Sequence, residues 1–201
     1  MFLQLLANGL VTGSVYAIAA LGVSLIYGIL RLVNFAYGDM MAFAALITYG
    51  VNGPLHQSMI LATLAGMAAT AILALLIDVV LWRPLRARRA GFMSLFLASI
   101  GLALVLRQSL LLFGSAQPRT YDVNPFRVFV LGTVRLSEAQ VIAIGGAAVA
   151  IVAAGLFLAF TTTGRVLRAM ADDRTLAAVA GIDVGRAIRV AWLISGLLAG
   201  L

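Results

Sequence analysis

The chain has 201 residues, of which 63% are apolar and 10% are charged, and its formal net charge is +7. A water-soluble domain of this size needs far more charge to cover its surface, so the composition predicts a membrane protein. All 14 basic residues are arginine, and they gather between apolar segments, which favours loops beside anionic lipid headgroups and argues against nucleic-acid binding.

Five apolar segments and the start of a sixth follow one another along the chain. They cover residues 2–30, 35–51, 58–82, 91–114 and 136–160, and the last begins near Ile188. A helix of about 20 residues spans a bilayer core of about 30 Å, so these segments predict an all-α polytopic transmembrane bundle. The last segment stops after 14 residues, at Leu201. We therefore expect residues 1–201 to form one transmembrane domain that is the N-terminal fragment of a longer protein.

The arginines also predict an orientation. They crowd into residues 83–89 and 165–189, and two membrane crossings separate these groups, so both lie on one side. The positive-inside rule makes that side cytoplasmic. The arginine-free connection 52–57 then lies outside, as does the sparser loop that carries Arg119, Arg127 and Arg135. The first segment is too long for a cleaved signal peptide, so it is expected to be a retained transmembrane helix. If the short second segment is a full crossing, the uncharged N-terminus lies outside.

Small residues recur at the spacing that lets helices approach closely. Gly9 and Gly13 form one G-x-x-x-G pair, and Gly196 and Gly200 form another. Such pairs allow dispersion contacts and weak hydrogen bonds between helix backbones. They predict compact packing and carry no information about a solute.

Residues 31–39 interrupt the apolar pattern with two charges, an asparagine and a glycine, and leave a short second segment. One interpretation is a broken or re-entrant helix, of the kind that transporters use to build solute sites. The other is an ordinary cytoplasmic turn in which Asp39 caps the next helix. The residues alone favour neither, and they leave open whether 35–51 crosses the membrane completely.

Two further charges fall inside apolar segments. A charge within a membrane segment often marks a functional pathway. However, Asp78 lies close to Trp82 and Arg83, where the interface is expected, and Arg107 is near enough to a segment end to snorkel. We therefore interpret both as interfacial.

Residues 164–183 predict a short amphipathic helix on the cytoplasmic side, ended by Gly181. Such a helix lies on the membrane surface or fits a groove on a partner. Its expected apolar side consists of Met170, Leu176, Val179 and Ala180, and its charged side of Arg168, Asp172, Asp173 and Arg174.

Several residue types are missing, which limits the chemistry. The chain has no cysteine and a single histidine, His56, so the sequence predicts neither a metal site nor a cofactor. It has no lysine, so it lacks the Walker A lysine, and any ATP must be hydrolysed by another chain. An intramembrane enzyme is disfavoured because no histidine lies in an apolar segment to activate a serine or tyrosine.

Two stretches resemble the permease subunits of branched-chain amino acid ABC transporters. The first reads Asn-Gly-Leu-Val-Thr-Gly-Ser-Val-Tyr-Ala from Asn8, followed by Leu-Val-Asn-Phe-Ala-Tyr-Gly-Asp-Met from Leu32. The second is residues 164–183, in which Gly-Arg, Arg-Ala, an acidic pair and Ala-Gly-Ile recur. Tyr37 stands where many relatives have histidine, so no pH-dependent role is carried over.

The resemblance implies an inner-membrane, multi-pass importer subunit that works by alternating access and is not itself an enzyme. Its expected partners are a second related permease, two ATPase subunits, a periplasmic substrate-binding protein and the lipid bilayer. We assign to the solute path Tyr16, Asn34, Gly38 and Asp39. We assign to the ATPase-coupling loop Arg165, Arg168, Asp172, Asp173, Ala178 and Gly181.

The transported solute stays open at this point. Relatives of similar appearance carry branched-chain amino acids, urea or short amides. A passive channel or a structural membrane subunit is the further alternative, and only the cytoplasmic loop and the resemblance argue against it.

Overall fold

The computed structural model describes residues 2–114, 121, 128–131 and 134–201, and it describes side chains for these residues except 128–131, 134–136 and 138–139. Arg119, Asp122 and Arg127 of the predicted outer loop lie outside the described residues. The described helices are α1 (Phe2–Leu30), α2 (Tyr37–Asn52), α3 (Met59–Ile77), α4 (Arg83–Ala87), α5 (Phe92–Gly114), α6 (Glu138–Phe160), α7 (Thr162–Asp172), α8 (Arg174–Val179) and α9 (Val184–Ala199). A π-helical turn, Asp78–Trp82, joins α3 to α4 without a break.

Four of these helical stretches are long and apolar enough to cross a membrane: Phe2–Leu30, Met59–Ala87, Phe92–Gly114 and Gln140–Phe160. They confirm the predicted helical membrane bundle. The second and sixth apolar segments form the shorter helices α2 and α9, of 16 residues each. Between α5 and α6 a small hairpin pairs β1 (Val128–Leu131) antiparallel with β2 (Val134–Ser137), a local feature of that connection.

Polar residues set the helix starts more sharply than hydropathy does. The fifth segment was expected from residue 136, but α6 begins at Glu138, because the Ser137 Oγ accepts a hydrogen bond from the Gln140 amide (3.3 Å). The Gln140 side chain accepts one from the Ser137 amide in return (3.0 Å), which completes a capping box. The last helix was expected from about Ile188 but begins at Val184, since Asp183 caps it.

The tightest packing joins α2, α3 and α9 through small residues. A Cβ on Gly196 or Gly200 would overlap the backbone of α3, and one on Gly66 of α3 would overlap the Thr48 hydroxyl of α2. The close approach predicted for Gly196 and Gly200 is therefore confirmed. The pair at Gly9 and Gly13 differs, because no described atom of the remaining structure lies within 4 Å of a Cβ at either position.

The two arginine groups meet at one end of the bundle, as predicted. The indole rings of Trp82 and Trp192 stack with centroids 6.2 Å apart, which brings the π-helical turn against α9. Arg174, at the start of α8, lies close enough to Arg86 for the two charges to interact. We call this the arginine-rich end, and the positive-inside rule predicts that it faces the cytoplasm.

Residues 31–52 lead from the arginine-rich end to the opposite end. The Arg31 guanidinium donates a hydrogen bond to the Ala171 carbonyl of α7 (3.1 Å), so the segment starts beside the cytoplasmic loop. Its first six residues are non-helical, and α2 then continues to Asn52. The connection after α2 enters α3, whose far end carries the arginines. The second segment thus joins the two ends through six non-helical residues followed by the 16-residue helix α2.

Candidate functional site

The candidate site is centred on the non-helical break between α1 and α2, which we call the break (residues 31–36). Asn34 is buried, and its side-chain carbonyl accepts a hydrogen bond from the Ala36 amide (3.2 Å). The Phe35 amide donates to the buried Ser99 hydroxyl of α5 (2.7 Å). Irregular backbone inside a membrane bundle requires such partners, because lipid supplies none. The break is therefore held inside the bundle by specific hydrogen bonds.

Tyr37 ties the start of α2 to two other helices. Its hydroxyl donates to the Ser195 carbonyl of α9 (3.1 Å), and the Ser195 hydroxyl donates to the Gly22 carbonyl of α1 (3.1 Å). All three residues are buried. A Cβ at Gly22 would overlap the Tyr37 hydroxyl, so glycine is what leaves room for the phenol. This chain of hydrogen bonds fixes where α2 begins relative to α1 and α9.

Asp39 and Arg107 face each other across α2 and α5. The two helices run in the same direction, since Phe35 contacts Ser99 at one level and a Cβ at Gly114 would touch Leu46 at the other. Asp39 lies seven residues before Leu46 and Arg107 seven residues before Gly114, so both sit about 10 Å below that level. Arg107 is near enough for its positive charge to influence the Asp39 carboxylate. Opposite charges thus lie near one another about 10 Å from the end of α5.

The interfacial interpretation of Arg107 stays a prediction. Arg107 stands about 22 Å along α5 and about 10 Å before its end at Gly114, and its side chain is exposed. Asp78 is buried at the start of the π-helical turn and forms an ion pair with Arg86 (2.6 Å). It lies at the arginine-rich end, where the sequence put it, and its partner is inside the protein.

The structure brings together three of the four predicted solute-path residues. Asn34, Gly38 and Asp39 all lie at the break or in the first turn of α2, with Asn34 buried, Asp39 half-buried and Gly38 open on one side. Tyr16 lies on the outer part of α1 with 70% of its surface exposed, away from this group. Its assignment to the path stays a prediction, as do the other three.

A cavity of about 380 Å³ opens on the opposite face of α2. Met41, Ala44 and Thr48 of α2 line it, with Thr63 of α3 on the far side and α1 and α6 closing it. Its walls are mainly apolar with a few hydroxyl groups, which is the usual character of a small-molecule pocket. α2 is therefore flanked by a charged pair on one face and an apolar space on the other.

Sequence reasoning missed the partners of the break. Ser99 and Ser195 are single serines on apolar helices, where serine is too common to carry a signal. The separation of the bonded residues is also large, since Tyr37 and Ser195 lie 158 positions apart. Tyr37 was noted only for standing where relatives have histidine.

The cytoplasmic loop differs from its predicted form. Two short helices, α7 and α8, replace the single expected helix, and Asp173 separates them by capping α8 through its carboxylate. That carboxylate accepts hydrogen bonds from the amides of Thr175 (2.7 Å) and Leu176 (3.0 Å). Gly181 adopts a φ of +85° after α8, which favours glycine and confirms it as the residue that ends the helix.

The apolar residues of this loop were expected to share one side of a helix. In the structure they do not. Met170 of α7 is buried against the bundle, whereas Leu176 and Val179 of α8 are 67% and 82% exposed. Ala177 packs inward and Ala178 outward. Arg165, Arg168 and Asp172 are exposed on α7, where they line a shallow cavity of about 400 Å³. The arginine-rich end thus presents apolar side chains on α8 beside charged ones on α7.

Comparison with known proteins gives this architecture its family. Residues 5–201 match the family described as branched-chain amino acid transport system / permease component. The chain is 27% identical to the high-affinity branched-chain amino acid transport system permease protein BraD of Pseudomonas aeruginosa. The alignment covers the whole chain and 69% of BraD. The chain is 25% identical to the corresponding LivH proteins of Salmonella typhimurium and Escherichia coli, over the whole chain and 68% of each relative.

The chain therefore spans about two thirds of the length of these relatives. No solved structure matches it. The helices that can cross a membrane agree with the family, whose members are permeases and not catalytic enzymes. The match, which covers nearly every residue, shows that this multi-pass membrane protein belongs to the branched-chain amino acid transport system permease family.

Proposed function

We propose that the chain is the membrane-spanning subunit of an ATP-binding-cassette importer that moves branched-chain amino acids into the cytoplasm. The observation that carries the proposal is the break, with its buried Asn34 and the charged pair Asp39 and Arg107 beside it. Irregular backbone and charges within a bundle are the usual components of a solute site in transporters. The names of the most similar relatives support the same solute class.

The charges favour an amino acid over a neutral solute. An amino acid carries an ammonium and a carboxylate a few ångströms apart, and Asp39 and Arg107 offer the complementary charges across α2 and α5. Urea and short amides carry neither an ammonium nor a carboxylate. A pair of opposite charges would therefore be a poor match for them.

Energy must enter through a protein contact, because the chain has no lysine for a Walker A motif. Leu176, Ala178 and Val179 form an exposed, mostly apolar face of α8 at the arginine-rich end. We assign this face, with the charges of α7, to docking on a separate ATPase subunit. ATP binding and hydrolysis there would move α7 and α8 and drive alternating access around the break.

The remaining partners follow from the same proposal. A second related permease covers the open face of α2 and α5, where Gly38 and Arg107 are exposed. A periplasmic binding protein delivers the solute at the opposite end, and two ATPases act at the arginine-rich end. The assembly lies in the inner membrane.

Reconstitution of the full-length protein with these partners in proteoliposomes tests the proposal. Uptake of radiolabelled leucine is expected to require ATP inside the vesicle and the binding protein outside it, with no comparable uptake of urea or acetamide. If urea is taken up in an ATP-dependent manner and leucine is not, the solute is urea and the proposed solute class is wrong. Leucine flux that is independent of ATP would instead make the protein a passive channel.

A further inference from the structure

A further cavity, of about 330 Å³, lies at the arginine-rich end between the π-helical turn and the start of α9. We call it the arginine cavity. It is separate from the break and from the exposed face of α8. Its lining residues are Asp78, Val79, Arg83, Arg86, Ala87, Arg174, Val184, Gly185, Ile188 and Arg189.

The lining of the arginine cavity carries an excess of positive charge. Its lining carries four arginines and one aspartate, which makes a net charge of +3 (4 − 1). The one carboxylate, Asp78, is already paired with Arg86 at 2.6 Å. The other terminal nitrogen of Arg86, Nη1, is buried and has no hydrogen-bond partner among the described residues. An anion in the cavity would satisfy that nitrogen and offset the excess charge.

Arg174 shows the cost of this imbalance. Burial, and then the positive charge of Arg86, lower the pKa of the Arg174 guanidinium below its usual value. Both effects disfavour the charged form, and both are relieved when a negative group enters between the two arginines. Arg83 and Arg189 are exposed and can close over the same group from the rim.

The surroundings of the cavity indicate the kind of anion. The π-helical turn that forms one wall lies near the end of the 29-residue apolar stretch Met59–Ala87, so the cavity is expected at the membrane boundary. Val79 and Val80, in that turn, are 49% and 73% exposed. Apolar surface therefore continues directly from a strongly basic pocket. π-Helical turns are also frequent at functional sites.

We propose that the arginine cavity binds the phosphate of an anionic phospholipid from the adjacent leaflet, with the acyl chains along Val79 and Val80. A free phosphate ion shares the headgroup chemistry but makes no use of this apolar surface. Basic pockets at the cytoplasmic ends of membrane helices are suited to such headgroups. The bound lipid would bridge α4, α8 and α9, and so stabilise the start of α9 against the π-helical turn. The proposal does not depend on which solute the protein carries.

Lipid binding by the purified full-length protein in nanodiscs tests the proposal. The test variant is Arg83→Gln/Arg189→Gln, which removes two exposed rim charges and leaves the ion pair of Asp78 and Arg86 intact. The control is Arg88→Gln/Arg89→Gln, with the same change in charge at exposed positions outside the cavity. Native mass spectrometry then measures retained phosphatidylglycerol against phosphatidylcholine. We expect the test variant to bind phosphatidylglycerol about tenfold more weakly than the control.

Several results would overturn the assignment. Equal loss in both double variants would mean diffuse attraction to the whole arginine-rich end. Displacement of the lipid by millimolar inorganic phosphate, with phosphate binding lost in the test variant, would make the site one for free phosphate. Unchanged lipid binding together with lost ATPase association would make it a protein-docking surface. The single variant Arg189→Gln provides the same comparison, against Arg88→Gln, if the double variant does not fold.

Discussion

The hydroxyl of Tyr37 occupies the space that a side-chain carbon on Gly22 would need. The phenol enters the cleft between α1 and α9 and donates its hydrogen bond to Ser195 on the far side. A helix that begins inside the bundle has no solvent to define its start, so contacts of this kind must define it. The position of the break thus depends on a glycine on α1, nine residues before the break begins.

The first prediction concerns this contact. Gly22→Ala should destabilise the protein by about 1–3 kcal/mol, because the added methyl group forces Tyr37 from its place. The control, Gly28→Ala on the same helix, meets its nearest neighbour at an ordinary 3.8 Å and should be tolerated. Tyr37→Leu in the Gly22→Ala background should recover part of the loss in thermal stability in detergent. Strictly additive effects of the two substitutions would argue against the contact.

The second prediction concerns the charged pair. In the full-length transporter, Asp39→Asn and Arg107→Gln should each raise the KM for leucine uptake about 10–100-fold, because each removes one charged partner of the solute. Assembly with the partner subunits should persist. Gln108→Ala, an exposed neighbour of Arg107, is the control and should leave uptake near normal. Normal uptake by Asp39→Asn would return the segment around it to a structural role.

The third prediction concerns topology. The chain has no cysteine, so single cysteines can be introduced without a background. Cysteine at Arg88 or Asp172 should react with a membrane-impermeant maleimide only from the cytoplasmic side, and at Gln57 only from outside. All three positions are exposed. Outside labelling at Asp172 would reverse the orientation of the whole bundle.

The fourth prediction concerns docking of the ATPase. Val179→Asp and Ala178→Trp should leave membrane insertion intact but abolish ATPase co-purification, because they place a charge or a bulky ring on the exposed face of α8. Charge reversal at Asp172 should weaken the same association. Thr162→Trp, exposed at the start of α7, is the control for bulk at this end. Full co-purification and coupled transport in Val179→Asp would remove α8 from the interface.

The fifth prediction separates the cap at Asp173 from its charge. Asp173→Ala should destabilise α8 by about 1 kcal/mol, because the amides of Thr175 and Leu176 lose their acceptor. ATP hydrolysis stimulated by substrate should fall accordingly. Asp173→Ser restores a capping oxygen without the charge and should recover most of the hydrolysis. Equal loss in the serine variant would mean that the charge itself contacts the ATPase.

The membrane segments and the arginine-rich end could be predicted from the sequence because each depends on local composition. The break could also be located, since Arg31, Asn34 and Asp39 interrupt an apolar run. Its hydrogen-bond partners could not, because they come from α5 and α9, far along the chain. Periodicity does not show which face of α5 carries Arg107 towards α2.

Two local effects explain where the observed helices differ from those predicted from the sequence. An unbroken run of helix-favouring residues predicted one cytoplasmic helix, but the carboxylate of Asp173 captures two amides and starts a new helix there. The extra residue in the π-helical turn, Asp78–Trp82, rotates the following arginines relative to α3. No pattern of apolar residues reveals such a change in helical pitch.

The glycine contact between α9 and α3 has a consequence for the order in which the protein assembles. Gly200 seats against the backbone of Met67, which leaves the ribosome 133 residues earlier (200 − 67). At about 5–20 residues per second, this face of α3 waits roughly 7–27 s for its partner. During synthesis the small-residue face of α3 is therefore open to other helices in the membrane. α2 is already made by then, and its contact with α3 at Thr48 and Gly66 is available before α9 arrives.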